Sequence, residues 1–515
     1  MSGVCCKCLY LQRFQLMPLR YTSSLLQNSR FSTDTEDTSN LLKKDSKRLI
    51  EKTKQKLHSR KRRPTTNVTD QKLSEKSKEI AVPSSRISRM ISYGTLAAGL
   101  GFGALNESVR KQLGVSSGTA LYGNSFLTEA NVERIVTTLC KVRGAALKFG
   151  QMMSIQDNSF VPDEVQKIFD RVRANADFMP QWQMQKVMTS EFGAEWKSKF
   201  KSFDNKPFAA ASIGQVHCGE TLDGRTIAVK IQYPGVAESI NSDIDTLLSI
   251  LVLSKLLPEG LFLEQAADVA RKELTWEVDY LREADCSARF KKLLEDDDEY
   301  YVADYIPELT TKRVLTTELM QGVPLDAVFD LDQETRNRVS TGILKLCLRE
   351  LFEFNFMQTD PNWSNFLYNQ HTDQLCLLDF GASREYSKSF VDAYINVIHG
   401  ASIGDREIVS NGLTKLGFQT GYESKAFIQA NIDAVMILGY PFAKNEIFDF
   451  GAQKIIVKIR DLIPVMLSHR LVPPPDETYS LHRKMSGAFL LCTKLGAKIN
   501  CYNLFNDIWN VYKNT

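Results

Sequence analysis

The 515-residue chain has little of the chemistry that binds metals or cross-links a fold. Three of its ten cysteines, Cys5, Cys6 and Cys8, fall near the start. The rest, Cys140, Cys218, Cys286, Cys347, Cys376, Cys492 and Cys501, show no Cys-x-x-Cys pairing. With six scattered histidines, this excludes a zinc site and a disulfide framework and leaves reduced, mostly buried thiols with no sign of a thiol nucleophile. No internal repeat is present. Acidic residues are missing from Met1 to Thr33, where Lys7, Arg13, Arg20 and Arg30 stand among Leu and Ser. That is the composition of a mitochondrial transit peptide rather than of a plain disordered tail, with Arg30-Phe31-Ser32 as a processing point.

Residues 34–86 read as a basic linker, Lys- and Arg-rich from residue 41 and nearly devoid of aromatics, with Arg60-Lys61-Arg62-Arg63 at its densest point. Such a stretch is expected to be attracted to anionic lipid headgroups. No aromatic or zinc module accompanies it, so nucleic acid is not expected as a partner. Charge is then missing from Met90 to Leu105, flanked by Arg86, Arg89 and Arg110. These sixteen residues fall short of the roughly 20 that a bilayer needs. Residues 87–108 are read as a transmembrane or membrane-associated segment, a buried packing segment being the competing reading. Gly99 and Gly103 on one face would permit close helix approach, including a homodimer.

The remaining composition, 43% hydrophobic and 24% charged, suffices for a two-lobed globular core. Its most informative stretch is Gln358-Thr359-Asp360-Pro361-Asn362-Trp363-Ser364-Asn365-Phe366, followed by the strand-like Leu375 to Leu378 and Asp379-Phe380-Gly381. This spacing matches the way kinase-like enzymes hold a reacting hydroxyl and metal ions around a nucleotide triphosphate, and it predicts MgATP as cofactor. Asn365 and Asp379 offer the oxygen ligands that Mg²⁺ prefers, and Asp360 is the candidate general base. Upstream, Ile227-Ala228-Val229-Lys230-Ile231 follows a Leu222-Asp223-Gly224 turn, as expected for the strand-borne lysine that meets the phosphates. The run Glu273 to Ala284 reads as one helix. It offers Glu283 as the partner of Lys230, with Asp279 one turn earlier on the same face and Glu277 projecting elsewhere.

Two features depart from an ordinary protein kinase. The loop that should be Gly-rich reads Phe208-Ala209-Ala210-Ala211-Ser212-Ile213-Gly214-Gln215-Val216-His217, placing methyl groups where glycine would let backbone amides approach phosphate, with His217 read as structural. In addition, Lys148-Phe149-Gly150-Gln151 follows a segment in which Val132, Ile135, Val136, Leu139 and Val142 recur at helical spacing.

Together, the Lys-x-Gly-Gln element, the Ala-rich loop, Glu277-Val278-Asp279, the Asp360 to Asn365 loop and Asp379-Phe380-Gly381 resemble the UbiB family of atypical kinases from about Ala130 to the C-terminus. The resemblance points most strongly to its mitochondrial branch, which supports coenzyme Q biosynthesis. It implies an α+β, kinase-like two-lobed fold with an N-terminal helical extension at 125–200, an N-lobe at 201–322 and a helical C-lobe at 323–515. It further implies that Lys148, Gly150, Gln151, Glu277 and Asp279 occupy the place where a protein kinase admits peptide. Nucleotide contacts fall to Ala209, Ala210, Ala211, Ser212, Lys230, Glu318, Asn365 and Asp379. The implied activity is ATP hydrolysis or phosphoryl transfer to a small acceptor at the matrix face of the inner membrane, beside coenzyme Q precursors and the enzymes that process them. A protein kinase acting on those enzymes and a non-catalytic nucleotide-sensing scaffold are the alternatives. His-Arg-Asp is replaced by Gln358-Thr359-Asp360, and no Ala-Pro-Glu follows Asp379, both unlike ordinary protein kinases.

Overall fold

The computed structural model describes residues 78–112, 128–144, 148, 171, 177–254 and 262–514. The expected transit peptide, most of the basic linker, and Gly150 and Gln151 lie outside these residues. By packing, the chain divides into Met1–Thr66 and Asn67–Thr515, and the described residues all belong to the second.

Two helices come first, α1 (Arg86–Gln112) and α2 (Glu129–Val142), the latter capped by the Thr128 side chain on the Asn131 amide. α1 contains the uncharged stretch. No helix among the described residues is long and apolar enough to cross a membrane, so the expected anchor does not appear as a bilayer-crossing helix. Glycine, serine and threonine dilute its apolar content, and at Arg89 a charge enters its buried face. Arg89, Tyr93, Leu96 and Leu100, spaced by four, three and four, are buried, while Ile87, Met90, Ile91 and Phe102 are exposed. Arg89 forms an ion pair with Asp243 at 2.5 Å and donates to the Arg143 carbonyl. Gly99 and Gly103 face α2 of the same chain, where a Cβ on Gly103 would stand 2.4 Å from Asn131 Oδ1.

After α3 (Gln181–Phe192) the smaller lobe is an antiparallel sheet in the order β1-β3-β4-β6, with β2 on β3: β1 (Phe200–Phe203), β2 (Ala209–Ala210), β3 (Gly214–Thr221), β4 (Thr226–Gln232) and β6 (Val314–Glu318). The Leu222-Asp223-Gly224 turn joins β3 to β4 as the sequence suggests, with Gly224 at φ +86°. Alternation along β4 buries Ile227, Val229 and Ile231 in this lobe's core and turns Lys230 to the opposite face.

Helices α4 (Val236–Ser254), α5 (Leu263–Glu277) and α6 (Tyr280–Leu293) lie between β4 and β6 in sequence. The expected single helix over 273–284 is corrected: it breaks at Val278-Asp279, and Asp279 becomes the N-cap of α6, accepting from the Arg282 amide. An Asp side chain competes for backbone amides and so favours a helix start over a helix interior.

The second sheet runs β5-β10-β9-β7, from β5 (Tyr300–Val302), β7 (Val323–Pro324), β9 (Phe366–Asn369) and β10 (Gln374–Leu377), with β5 and β10 parallel. Below it stand α7 (Gln333–Phe352), α8 (Lys388–Ile403), α9 (Arg406–Leu416), α10 (Lys425–Gly439), the short α11 (Phe450–Gln453), α12 (Ile455–Arg460) and α13 (Ile463–Ser468), then α14 (Asp476–Lys494) and α15 (Cys501–Lys513). They enclose one large apolar core around Leu344, Cys347, Val391, Ile395, Leu481 and Phe489. A two-stranded ribbon of β8 (Phe356–Gln358) and β11 (Ser383–Glu385) carries the segments on which the site is built. The architecture is α+β and two-lobed.

Candidate active site

Two loops are held side by side by backbone pairing. Asp360 leaves β8, Asp379-Phe380-Gly381 precedes β11, and Gln358 is registered with Ser383. The Leu378 amide donates to the Asn365 carbonyl at 3.0 Å, and the Thr359 hydroxyl to the Ala382 carbonyl at 2.8 Å. Phe380 anchors the second loop by packing on Phe290 of α6, their ring centres 5.0 Å apart.

The expected ion pair is present. Lys230 Nζ lies 2.9 and 3.0 Å from the two Glu283 oxygens and 3.0 Å from Asp379 Oδ2. Asp379 also accepts from the Gly381 amide at 3.0 Å. Burial pushes Glu283 upward, the Asp379 charge adds to it, and Lys230 only partly offsets both, so the group sits at about 7. Burial acts the same way on Asp379, but Lys230 and Lys148 outweigh it and hold that carboxyl below its usual range. One ammonium between two carboxylates explains why the two partners shift in opposite directions.

A second lysine closes the other side. Lys148 Nζ lies 2.6 Å from Asp360 Oδ2 and 3.1 Å from Glu277 Oε1, all three side chains being buried. Burial disfavours the Lys148 charge, but Asp360, Glu277 and Asp379 together keep it protonated far above its ordinary range. Burial likewise opposes ionisation of Asp360, and Lys148 reverses this, bringing the carboxyl down to about 2. Asp360 also accepts from Asn365 Nδ2 at 3.2 Å and from the Asn362 amide at 3.2 Å. Glu277, which an unbroken helix would have pointed elsewhere but the resemblance placed beside Lys148, enters the cleft at the end of α5, where the helix breaks. Asp279 stays at the helix start and touches neither lysine.

The helical extension also holds the Ala-rich loop. Ala209 and Ala210 pair with Val216 and Gln215, and the Ala211 amide donates to the Gly214 carbonyl at 2.8 Å. Arg143, at φ 50°, donates to the Ala211 carbonyl at 3.3 Å and to the Tyr233 hydroxyl at 2.5 Å, while the Gly144 amide donates to the Ser212 carbonyl at 3.0 Å. Gly214 has no room for a side chain: a Cβ there would stand 2.6 Å from the Ile231 carbonyl. His217 is buried between the Asp204 carbonyl and Gln215 and is lowered to about 4 by that burial, in keeping with a structural role. Glu318 ends β6 where the chain passes to the second sheet, and accepts from the Tyr301 hydroxyl at 3.1 Å.

The sequence reading missed several supporting groups. Arg282 donates to the carbonyls of Gly381 and Ser383 and so fixes the loop after Asp379. Arg483 of α14 pairs with Glu273 of α5 at 2.7 Å, both buried. Lys484 bonds Gln358 at 3.2 Å and stands 3.4 Å from Glu350. All are charged residues on helices, where sequence alone gives no way to tell a buried partner from a solvated surface.

The donor set fits a hard divalent cation and a polyphosphate. Asp379 and Asn365 present oxygens from adjoining loops, Lys230 presents an ammonium beside them, and the Ala-rich turn covers the same side. Among the described residues no cluster of three or more His, Cys, Asp or Glu forms a metal site by itself.

Comparison with known proteins gives the family. Residues 171–412 match the ABC1 atypical kinase-like domain. The mitochondrial atypical kinase COQ8B of Danio rerio is 57% identical over 86% of this chain and 71% of its own length. The chain belongs to the UbiB/ABC1 family of atypical kinases. Mitochondrial atypical kinase COQ8 of Saccharomyces cerevisiae is 46% identical over 84% of this chain and 86% of its own. Among solved structures, the Rv3197–erythromycin complex from Mycobacterium tuberculosis superposes with a TM-score of 0.52 at 24% identity. It covers 74% of this chain and 96% of that one, and at this identity it speaks for the fold alone.

Proposed function

We propose that the cleft binds MgATP and directs it to hydrolysis, or to phosphoryl transfer to a small membrane-derived acceptor, in support of coenzyme Q biosynthesis in the mitochondrion. The observation that carries this reading is the Lys148 ammonium seated on Asp360, 2.6 Å from the oxygen that would take a proton from an acceptor hydroxyl. A peptide side chain would have to displace a buried ion pair to reach that oxygen. Bound MgATP would supply the activated phosphoryl group and the charge neutralisation it needs. Asn365 and Asp379 would hold the metal. Lys230, kept in place by Glu283, would meet the phosphates. Ala209, Ala210, Ala211 and Ser212 would cover them, and Glu318 would line the nucleotide end. Asp360 would orient the acceptor and take its proton once Lys148 withdraws.

The coenzyme Q assignment and the mitochondrial location rest on the names of the COQ8 and COQ8B relatives. Docking on the matrix side of the inner membrane beside anionic lipid, coenzyme Q precursors and the enzymes that process them belongs to the same proposal. The deciding experiment pairs MgADP calorimetry with phosphate release. Asp379→Asn should weaken Mg²⁺-dependent binding about tenfold or more and abolish turnover, whereas Asp360→Asn should keep binding and lose turnover. Wild-type hydrolysis by both variants would refute the enzymatic reading.

A further inference from the structure

The helical lobe contains a cavity of about 190 Å³ that the cleft chemistry does not use. Its walls are largely apolar, with Leu351 of α7, Ile398 of α8, Leu438 of α10 and Ile463 of α13 among them. Interiors close-pack, so a partly open apolar pocket of this size is a place where a ligand can enter. At roughly 10–15 Å³ per water-sized position, it has room for a chain of about a dozen heavy atoms.

Polar atoms at the cavity lack partners. Asn431 is buried and its Nδ2 has no hydrogen bond, and the Tyr479 hydroxyl is likewise unpaired. Arg470, also on the wall, has no carboxylate partner among the described residues, although burial already works against its charge. Arg470 is partly buried, so its guanidinium is a cation on the wall of a largely apolar cavity with no carboxylate paired to it among the described residues. His482, lowered to about 4 by burial, stays neutral beside it and does not supply a counter-charge. The cavity lies across α14 from the catalytic loop, and Arg483 of that helix, paired with Glu273, lines it. Lys484 and Gly487 of that helix face the loop around Gln358 and Pro361, whereas Tyr479 and His482 face the cavity.

We propose that this cavity is a second binding site, for a small amphipathic carboxylic acid whose apolar chain fills the chamber and whose carboxylate meets Arg470. Asn431 Nδ2 and the Tyr479 hydroxyl supply further donors, which suit an acceptor-only head group. A neutral alcohol of the same length would gain the apolar contacts without the charged pair.

The full chain is titrated calorimetrically at pH 7.5 with octanoate and, separately, with 1-octanol. Octanoate should bind saturably with a Kd below about 1 mM, and octanol about tenfold more weakly. Arg470→Met should weaken octanoate about tenfold and leave octanol unchanged. Ala434→Phe, which fills the chamber from α10, should abolish both. Should that variant melt out by circular dichroism, hydrogen exchange of the wild type decides: octanoate should protect amides of α10 and α14. No saturable octanoate binding, affinity unchanged in Arg470→Met, or protection confined to other elements would overturn the assignment.

Discussion

Lys148 and Asp360, 212 residues apart in sequence, share a 2.6 Å hydrogen bond at the centre of the cleft. It places a cation from the helical extension on the carboxylate that an acceptor must reach. Under the proposed function, this contact would oppose protein acceptors by charge and by occupancy at one atom.

Lys148→Ala should leave Asp360 and Glu277 as buried carboxylates without their cation, at a cost of about 3 kcal/mol by urea denaturation at pH 7. The pH dependence fixes the sign. Asp360 is held at about 2, below its unfolded value, so its contribution is present above pH ~4 and disappears as pH falls towards 2. Wild type and variant should converge in stability over that window. With labelled ATP, the variant should also shift the ratio of protein-bound to free phosphate upward. An unchanged ratio would mean that Lys148 does not restrict acceptors.

Glu283 and Glu350 act in the opposite sense. Both are raised to about 7, chiefly by burial, so the folded state holds extra protons between their ordinary range and pH 7. Stability contributed by these groups falls as pH rises through that window and reaches its minimum above it. Glu283→Gln should therefore flatten the stability change between pH 5 and 8 by roughly 1–3 kcal/mol, while weakening nucleotide binding because Lys230 loses its partner. Urea melts across that range measure the first effect and MgADP titration the second.

Arg483→Met should cost about 3–5 kcal/mol, because Glu273 is left buried and unpaired. The double variant Arg483→Met/Glu273→Leu should recover most of this, since replacing both charges with apolar groups removes the desolvation cost as well as the attraction. A double-mutant cycle by chemical denaturation provides the check.

Gly487 lies where α14 meets the catalytic loop, and a Cβ there would stand 2.2 Å from Pro361 Cβ. Gly487→Ala gains about 1 kcal/mol of helix propensity and loses about 1–3 kcal/mol to overpacking, a net loss of about 0–2 kcal/mol. Turnover should fall about tenfold or more, because relief of the clash displaces Pro361 and with it Asp360. A variant with normal kcat would show that the loop can give way without moving the carboxylate.

Much of the cleft was legible because short-range rules specify it. Period-two alternation turns Lys230 away from Ile227, Val229 and Ile231, and the Asp-Gly turn sets the hairpin that delivers it. The spacing of Asp360, Asn365 and Asp379 survives because each side chain sits within a few residues of the strand that positions it. Glu277 was misjudged because its direction depends on a break created by the capping preference of Asp279, and a smooth helical pattern hides such a break. That the uncharged stretch from Met90 to Leu105 packs within the chain could not be read locally, because its partners Asn131, Arg134 and Asp243 lie on distant helices. Arg483, Lys484 and the cavity behind α14 were invisible for the same reason: their meaning is tertiary.

The stitch between Arg143, Gly144 and the Ala-rich turn bears on where the working unit of this family begins and ends. The family model matches 171–412, whereas the COQ8 and COQ8B relatives align over 84–86% of the chain; Arg143 and Lys148 precede the model's limits, and Arg483, Lys484 and Gly487 follow them. A fragment cut at those limits would keep Lys230, Asp360 and Asp379 but end inside α9, losing α10–α15 and with them a large share of the apolar core, as well as the contacts of Arg143 on the Ala-rich turn, of Lys148 on Asp360 and of Gly487 on Pro361. Any activity measured on such a fragment would belong to a different and less stable molecule, and would say little about the whole chain.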